Sequence, residues 1–154
     1  MATVVRPVER ADVEAVIALI RDTLHEFGLV FGQGATTDEE LVGLPDVYTA
    51  RGGAFWVATV DGALTGTCGV FPVAPATFEL RKMYLRPHTR GLGLGGRLLA
   101  TAIEWSRAHG GARLVLDTVD EMQRAIAFYE AHGFVRDDSQ CRGSRCTRGY
   151  TLTL

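Results

Sequence analysis

Two spacings of hydrophobic residues alternate along the chain, and each predicts a different kind of element. In four segments the apolar residues recur every three or four positions, which is the period of an amphipathic helix. The predicted helices cover residues 13–27, 37–51, 90–109 and 121–132. Between them lie short runs rich in β-branched and aromatic residues, which favour strands. The predicted strands cover residues 3–8, 54–60, 64–73, 77–85 and 112–119, with two more from residue 134 to the end.

The order of these elements predicts an α/β fold in which helices cover a mixed sheet. Asp61-Gly62 joins two of the strands and is the strongest short signal for a hairpin turn. Thr37 and Glu40 resemble a capping box that opens the second helix, because together they can satisfy its first free N–H groups. No repeat or low-complexity tract divides the chain, so we expect a single domain over residues 1–154.

The composition is typical of a globular protein. Hydrophobic residues make up 47% of the 154 positions and charged residues 22%, the usual balance for a chain that buries a core. The uncharged apolar runs are much shorter than the roughly 18 residues of a membrane span. The first residues lack the apolar segment of a secretory signal. We therefore expect a cytoplasmic protein that does not act at a membrane.

The three cysteines, Cys68, Cys141 and Cys146, cannot all pair within one chain, which fits a reducing compartment. Cys141 and Cys146 are too few for a tetrahedral zinc ion, and no second pair of Cys or His stands at a suitable spacing. The sequence therefore predicts no metal site. For the segment between these two cysteines, a pocket wall and a dimer contact are equally open interpretations.

Basic residues are concentrated between Glu79 and Glu104, although the net charge of the chain is −2. That interval contains no acid, and its bases are Arg81, Lys82, Arg86, Arg90 and Arg97. A local positive field of this kind attracts anions. Either a bound anion or a solvated basic surface explains the cluster, whereas the overall acidity disfavours duplex nucleic acid as a partner.

Four glycines, Gly91, Gly93, Gly95 and Gly96, follow the predicted strand at 77–85 and lead into a helix. Without a Cβ, successive N–H groups can turn toward one point, and the helix adds its own free donors and the positive end of its dipole. This arrangement suits a pyrophosphate, and the alternative is a tight strand-to-helix turn without a ligand. The spacing Gly91-x-Gly93-x-x-Gly96 also matches the dinucleotide fingerprint, but only 58 residues follow Gly96, too few for that fold. The Walker pattern is excluded because no Gly-Lys-Ser/Thr closes the loop.

The same turn resembles a motif of the GNAT superfamily of coenzyme A-dependent N-acetyltransferases. Arg90-Gly-Leu-Gly93-Leu-Gly95 is similar to the family's Arg/Gln-x-x-Gly-x-Gly/Ala pyrophosphate loop. A second segment, Ala125-x-x-x-Tyr129-x-x-x-Gly133-Phe134, resembles the signature of the family's later helix and strand. The predicted order of elements is also similar to the family's order over nearly the whole chain.

The resemblance implies a twisted, mostly antiparallel central sheet of about six or seven strands, with central strands splayed apart and about four helices. It also implies acetyl-CoA as the cofactor. Main-chain groups of the strand before the loop would pair with the pantetheine arm, which points to Met83, Tyr84 and Leu85. The pyrophosphate would lie against the loop, which comprises Arg90, Gly91, Leu92, Gly93, Leu94, Gly95 and Gly96. Met122 stands where many members carry an asparagine that contacts the coenzyme, so we expect that contact to be missing.

The resemblance also implies candidates for catalysis. Tyr129 stands at the position of the family's tyrosine that protonates the coenzyme A sulfur, and the alternative is a tyrosine packed in the core. Glu79 is the first candidate for the general base, and the alternative is a structural ion pair with Arg81 or Lys82. Asp117 is the second candidate for the base.

The acceptor amine is expected near the first two helices and their loop, because this part varies around the shared cofactor site of the superfamily. The candidate residues are Glu26, Phe27, Phe31 and Trp56. The acids of this region, which include Asp38, Glu39 and Glu40, favour a cationic amine of a small molecule or a peptide. A homodimer is compatible with the sequence. The alternative function is an acyl-CoA-binding module without turnover.

Overall fold

The computed structural model describes residues 1–32, 36–142 and 145–154, and its centre is a seven-stranded sheet with the order β1-β2-β3-β4-β5-β7-β6. The strands are β1 (Thr3–Pro7), β2 (Ala54–Val60), β3 (Ala63–Ala74), β4 (Thr77–Leu85), β5 (Arg113–Thr118), β6 (Val135–Arg136) and β7 (Arg148–Thr153). All neighbouring strands are antiparallel except β4 and β5, which are parallel. The prediction of a mostly antiparallel mixed sheet is confirmed.

Helices cover both faces of this sheet. They are α1 (Val13–Glu26), α2 (Asp46–Thr49), α3 (Leu94–Ala108) and α4 (Gln123–Ala131). Strand β2 shows how one sequence serves both faces, because successive side chains of a strand point in opposite directions. Phe55 and Val57 pack in the core beneath α1 and α2, whereas Trp56 and Ala58 pack in the core beneath α3 and α4.

The second predicted helix is wrong in extent. A 3₁₀ helix covers Thr36–Gly43, and α2 is a separate short helix that begins only at Asp46. Pro45 explains the break, because proline has no N–H for the helix ladder and disfavours helical geometry at the residue before it. The side chain of Thr37, on which the predicted capping box depends, lies outside the described side chains.

The predicted hairpin turn is confirmed. Asp61 has φ 50° and Gly62 has φ 85°, so both central residues are left-handed, as a type I′ turn requires. The helix predicted from residue 90 begins instead at Leu94, because Gly91 and Gly93 also have positive φ values, of 85° and 80°.

Strands β4 and β5 separate soon after they meet, which confirms the expected splay. They pair only at three positions, Thr77 with Arg113, Phe78 with Leu114 and Glu79 with Val115. Beyond this point β4 runs on to Leu85, and its register against β3 shifts between Thr67 and Gly69. Lys82 lies at this bulge with φ 55°, and a bulge increases the local twist of a strand. The two strand ends therefore diverge and open a cleft in the middle of the sheet.

No helix in the described part of the chain is both long and apolar enough to cross a membrane.

Candidate active site

A cavity of about 610 Å³ lies where β4 and β5 separate. Its walls come from the second half of β4, the end of β5, the glycine turn before α3, the end of α1, α4, and from Arg142, Arg145 and Cys146. Of the predicted catalytic, cofactor-binding and acceptor-binding residues, those that line it are Glu79, Met83, Tyr84, Leu85, Arg90, Gly91, Gly93, Gly95, Gly96, Asp117, Tyr129 and Phe27. The fold thus gathers most of the predicted site residues around one space.

The glycine turn forms one end of this cavity. A Cβ placed at Gly91, Gly93 or Gly96 would meet no atom within 4 Å, so the main chain there faces open space. The first turn of α3 has no acidic residue, which leaves the positive end of its dipole uncompensated by acids. Leu94 is instead buried in the core beneath α3, and Leu92 is exposed, so neither side chain lines the cavity.

The edge of β4 that faces β5 offers main-chain groups to the cavity. The N–H of Arg86 donates to the carbonyl of Thr65 on β3 at 2.8 Å. Because hydrogen bonding alternates along an antiparallel pair, the main-chain groups of Met83 and Leu85 point the opposite way, toward the cleft. Tyr84 contributes its side chain to the cavity wall, and burial raises the pKa of that phenol to about 12.

Arg90 is held in place by Glu26 at the end of α1. Its two Nη atoms donate to the two carboxylate oxygens at 2.7 and 3.1 Å. The hydrogen bonds from Arg90 lower the pKa of Glu26, so that the carboxylate stays ionised. Glu26 was expected to bind the acceptor, but the structure places it outside the cavity lining and pairs it with the glycine turn.

Tyr129 combines both of its predicted environments, since it packs in the core and lines the cavity. Its ring meets the rings of Phe128 and Phe134 edge to face, with centroids 5.7 and 5.5 Å apart. Burial raises the pKa of the phenol, so Tyr129 carries its proton throughout the neutral range.

Glu79 lies at the point where β4 and β5 separate, and it is both buried and ion-paired. Its Oε1 accepts from the Nε of Arg81 at 2.5 Å, and its Oε2 lies 3.5 Å from the Nη1 of Arg142. Oε2 is buried and has no hydrogen-bond donor among the described residues. Asp117 lines the same cavity and accepts from the main-chain N–H of Arg142 at 3.2 Å.

A buried group of charges was not predicted from the sequence. Asp38 is fully buried, and its carboxylate accepts from the Nζ of Lys82, from the N–H of Gly32 at 2.9 Å and from Arg145 at 3.3 Å. Burial alone would raise the pKa of Asp38, but the Lys82 ammonium and these hydrogen bonds outweigh it and lower the pKa. Asp38 is thus paired with two cations of the fold, Lys82 and Arg145. The only signal in the sequence is the pair of opposite charges, 44 residues apart.

Cys141 and Cys146 form a disulfide, with their Cα atoms 5.7 Å apart. Reduced cysteines were expected, and for these two the structure overturns that expectation, because the fold brings their side chains together. Arg142 and Arg145 lie within the closed segment, and both line the cavity. Cys68 is free and buried. Among the described residues, no group of three or more His, Cys, Asp or Glu side chains is placed to hold a metal ion.

Two of the aromatic residues expected to bind the acceptor lie elsewhere. Trp56 is buried beneath α3 against Trp105, with the ring centroids 6.0 Å apart, because its position in β2 points it to that face. Phe31 lies under the guanidinium of Arg21, 5.3 Å from the ring centroid, and does not line the cavity. Of the aromatic candidates, Phe27 alone reaches the cavity.

Comparisons with known proteins find similar sequences and similar folds. The model of the Acetyltransferase (GNAT) family matches residues 16–134. The uncharacterized N-acetyltransferase YjgM of Escherichia coli is 36% identical over 139 residues, which cover 88% of this chain and 83% of that protein. A GNAT acetyltransferase structure from Staphylococcus aureus superimposes with a TM-score of 0.92 at 24% identity and covers 99% of both chains. The PaiA N-acetyltransferase of Thermoplasma acidophilum, solved with coenzyme A, gives a TM-score of 0.80 at 20% identity and covers 100% of both chains.

The substitution Asp38→Asn tests the buried charge group. It leaves Lys82 and Arg145 beside a neutral amide, and breaking a buried ion pair from one side costs about 3–5 kcal/mol. We expect a loss of that size in the free energy of unfolding, measured with urea at pH 7. The double variant Asp38→Leu/Lys82→Met removes both buried partners and is expected to recover at least half of the loss.

The same measurement has a pH dependence of known sign. Because the pKa of Asp38 is lowered in the folded state, its contribution is complete above the unfolded value of 3.8 and is lost as the pH falls below that value. The difference between wild type and Asp38→Asn should therefore shrink at acid pH. A variant as stable as wild type at pH 7 would contradict the assignment.

Proposed function

The chain belongs to the GNAT acetyltransferase family and is an N-acetyltransferase of that type, and on this premise we propose that it moves the acetyl group of acetyl-CoA directly to a primary amine held beside Glu79 and Asp117. One observation carries the proposal. A single cavity is lined by the glycine turn, by the splayed edge of β4, by a buried tyrosine and by two carboxylates. Direct transfer needs cofactor and amine to meet in one space, and this cavity supplies it.

The residues present fit acetyl-CoA, which supplies an activated thioester carbonyl when bound. The N–H groups of the glycine turn and of the first turn of α3 would hold the pyrophosphate, with Arg90 and Arg124 at the same cavity adding positive charge. The outward-facing main-chain groups of Met83 and Leu85 would pair with the amide groups of the pantetheine arm, as an added strand pairs with a sheet edge.

In this proposal Tyr129 stabilises the departing sulfur. A free thiol has a pKa of about 8.5, lower than that of a phenol. Because burial raises the pKa of Tyr129 further, complete transfer of its proton to a thiolate is unfavourable, whereas a hydrogen bond from its O–H to the developing negative charge is favourable. Tyr129 thus donates a hydrogen bond and keeps its own proton, and the departing thiolate takes its proton from water.

Glu79 and Asp117 would prepare the amine. The nitrogen attacks as the neutral amine, forms the C–N bond while the C–S bond breaks, and must give up one proton while the sulfur gains one. In this proposal the Oε2 of Glu79 accepts that proton directly or through a water, since Arg81 already holds Oε1 and Oε2 has no hydrogen-bond donor among the described residues. Asp117 remains the second candidate for this role.

Calorimetric titration of acetyl-CoA tests the cofactor site. Gly93→Ala forces a side chain into a backbone with φ 80°, which costs about 1–2 kcal/mol. The free turn can relieve this strain by leaving the conformation that binds the pyrophosphate, so we expect the Kd for acetyl-CoA to rise by about tenfold. Gly110→Ala is the matched control, because Gly110 has φ 81° at the far end of α3 and does not line the cavity. It should strain the chain equally and leave the Kd unchanged. Equal effects of both variants on the Kd would refute this binding site.

Tyr129→Phe tests the role of the phenol in turnover. We expect kcat for thiol release to fall by about 10–100-fold, while the Kd for acetyl-CoA changes by less than about threefold. Tyr150→Phe is the control, since it removes a hydroxyl that donates to Glu130 at 2.8 Å outside the cavity. An unchanged kcat in Tyr129→Phe would show that the tyrosine takes no part in the mechanism. If the wild-type protein binds acetyl-CoA but acetylates no amine, a binding module is favoured instead.

Glu79→Gln separates a base from a structural ion pair. If Glu79 takes the proton, kcat/KM for the amine falls by about 100-fold, although acetyl-CoA still binds. Glu130→Gln is the control, because it changes a carboxylate outside the cavity in the same way. A Glu79→Gln variant with lower stability but unchanged kcat/KM for the amine would show that Glu79 only holds Arg81.

A further inference from the structure

The end of the cavity away from the glycine turn is unexpectedly rich in cations. Arg81 and Lys82 reach it from β4, and Arg142 and Arg145 reach it from the disulfide-closed segment. These four are distinct from Arg90 and Arg124, which would lie beside the pyrophosphate of the cofactor. They line the same cavity as Glu79 and Asp117, where the amine is proposed to bind.

Carboxylates of the chain neutralise these cations only in part. Glu79 is shared by Arg81 and Arg142, and Asp38 is shared by Lys82 and Arg145. Even when Asp117 is counted as well, three carboxylates face four cations in the described part of this region. The sequence analysis favoured a cationic acceptor, but the acids on which it relied do not face the cavity. Glu26 pairs with Arg90, Asp38 is buried, and Glu39 and Glu40 are exposed.

Arg142 is the most accessible of the four cations, with 38% of its side chain exposed, against 15% for Arg145 and 5% for Lys82. Its Nη1 donates to the main-chain and side-chain oxygens of Gln140, at 3.2 and 3.3 Å. Its Nε and Nη2 have no hydrogen-bond partner among the described residues. These two atoms form the edge of a guanidinium that binds a carboxylate through two parallel hydrogen bonds.

Resting on the proposed function, we propose that the acceptor is an amine of the amino-acid class, with a carboxylate close to the reacting nitrogen that binds the free edge of Arg142. Such a ligand brings the negative charge that this end of the cavity lacks. The same cations help the chemistry, since nearby positive charge lowers the pKa of a substrate ammonium and increases its neutral fraction. A polyamine would instead meet charges of its own sign.

The test compares amines that differ only in the carboxylate. Amino acids with apolar, polar and acidic side chains are each paired with their carboxamide and with the amine that lacks the carboxyl group, and spermidine is added as a polycation. Release of free thiol from acetyl-CoA is measured with wild-type protein. We expect kcat/KM for the best amino acid to exceed that of its two partners by at least about tenfold, as for loss of a charged hydrogen bond.

The outcomes separate the inference from the proposed function. If amides, simple amines or spermidine react as well as the amino acids, the inferred recognition of a carboxylate is wrong. The proposed acetyltransferase activity would still stand. If no amine releases thiol, although acetyl-CoA binds, the proposed function is wrong and the inference is wrong with it.

Substitution of Arg142 tests whether this residue binds the carboxylate of the acceptor. Arg142→Gln should lower the preference for acid over amide by at least about tenfold, through KM for the acceptor and with a smaller change in kcat, and Arg142→Lys should restore part of it. Arg107→Gln is the matched control, because Arg107 is exposed on α3 and does not line the cavity. An unchanged preference in Arg142→Gln would overturn the assignment to this residue.

Discussion

The separation of β4 from β5 is the constraint on which the site depends. Strands in a sheet normally satisfy each other's main-chain groups, and groups left without a partner in an interior are costly. After Glu79 the two strands no longer pair, so the edge of β4 at Met83 and Leu85 faces a cavity instead of a neighbour. A ligand with amide groups can complete that edge. The bulge at Lys82 maintains the separation, because the extra twist there turns β4 away from the direction of β5.

The bulge in turn is stabilised by charge. Lys82 is turned toward Asp38, and Arg145 reaches the same carboxylate from the other side. Three segments distant in sequence, the 3₁₀ helix, β4 and the disulfide-closed segment, thus meet at one buried carboxylate. Such a buried group of charges adds little to the free energy of unfolding, but the loss of one partner lowers it strongly. The group therefore fixes the relative position of the three segments. Lys82 and Arg145 also line the cavity, so this arrangement shapes the end of the cavity that lies away from the glycine turn.

The two ends of the cavity differ in the groups that they offer to a ligand. At the glycine turn these are main-chain N–H groups and a helix terminus, which depend on backbone conformation and on positive φ at Gly91 and Gly93. At the other end they are side chains, chiefly Arg142, Glu79 and Asp117. A backbone site is suited to a cosubstrate common to a whole family, whereas a side-chain site can change its specificity by substitution. The proposed amino-acid acceptor is therefore a property of these particular side chains.

The sequence alone determined the strands, three of the helices, the hairpin at Asp61 and the glycine turn, because each depends on local periodicity or on a local backbone preference. The resemblance to the GNAT family also pointed to Tyr129 and Glu79, which both line the cavity. The sequence could not show that Trp56 faces away from the cavity, that Glu26 pairs with Arg90, that Asp38 is buried with Lys82, or that Cys141 and Cys146 pair. Those outcomes depend on which distant side chains meet across the sheet. Only the tertiary structure brings opposite charges within hydrogen-bond distance, and it thereby decides which charged groups hold the fold together and which remain to bind a substrate.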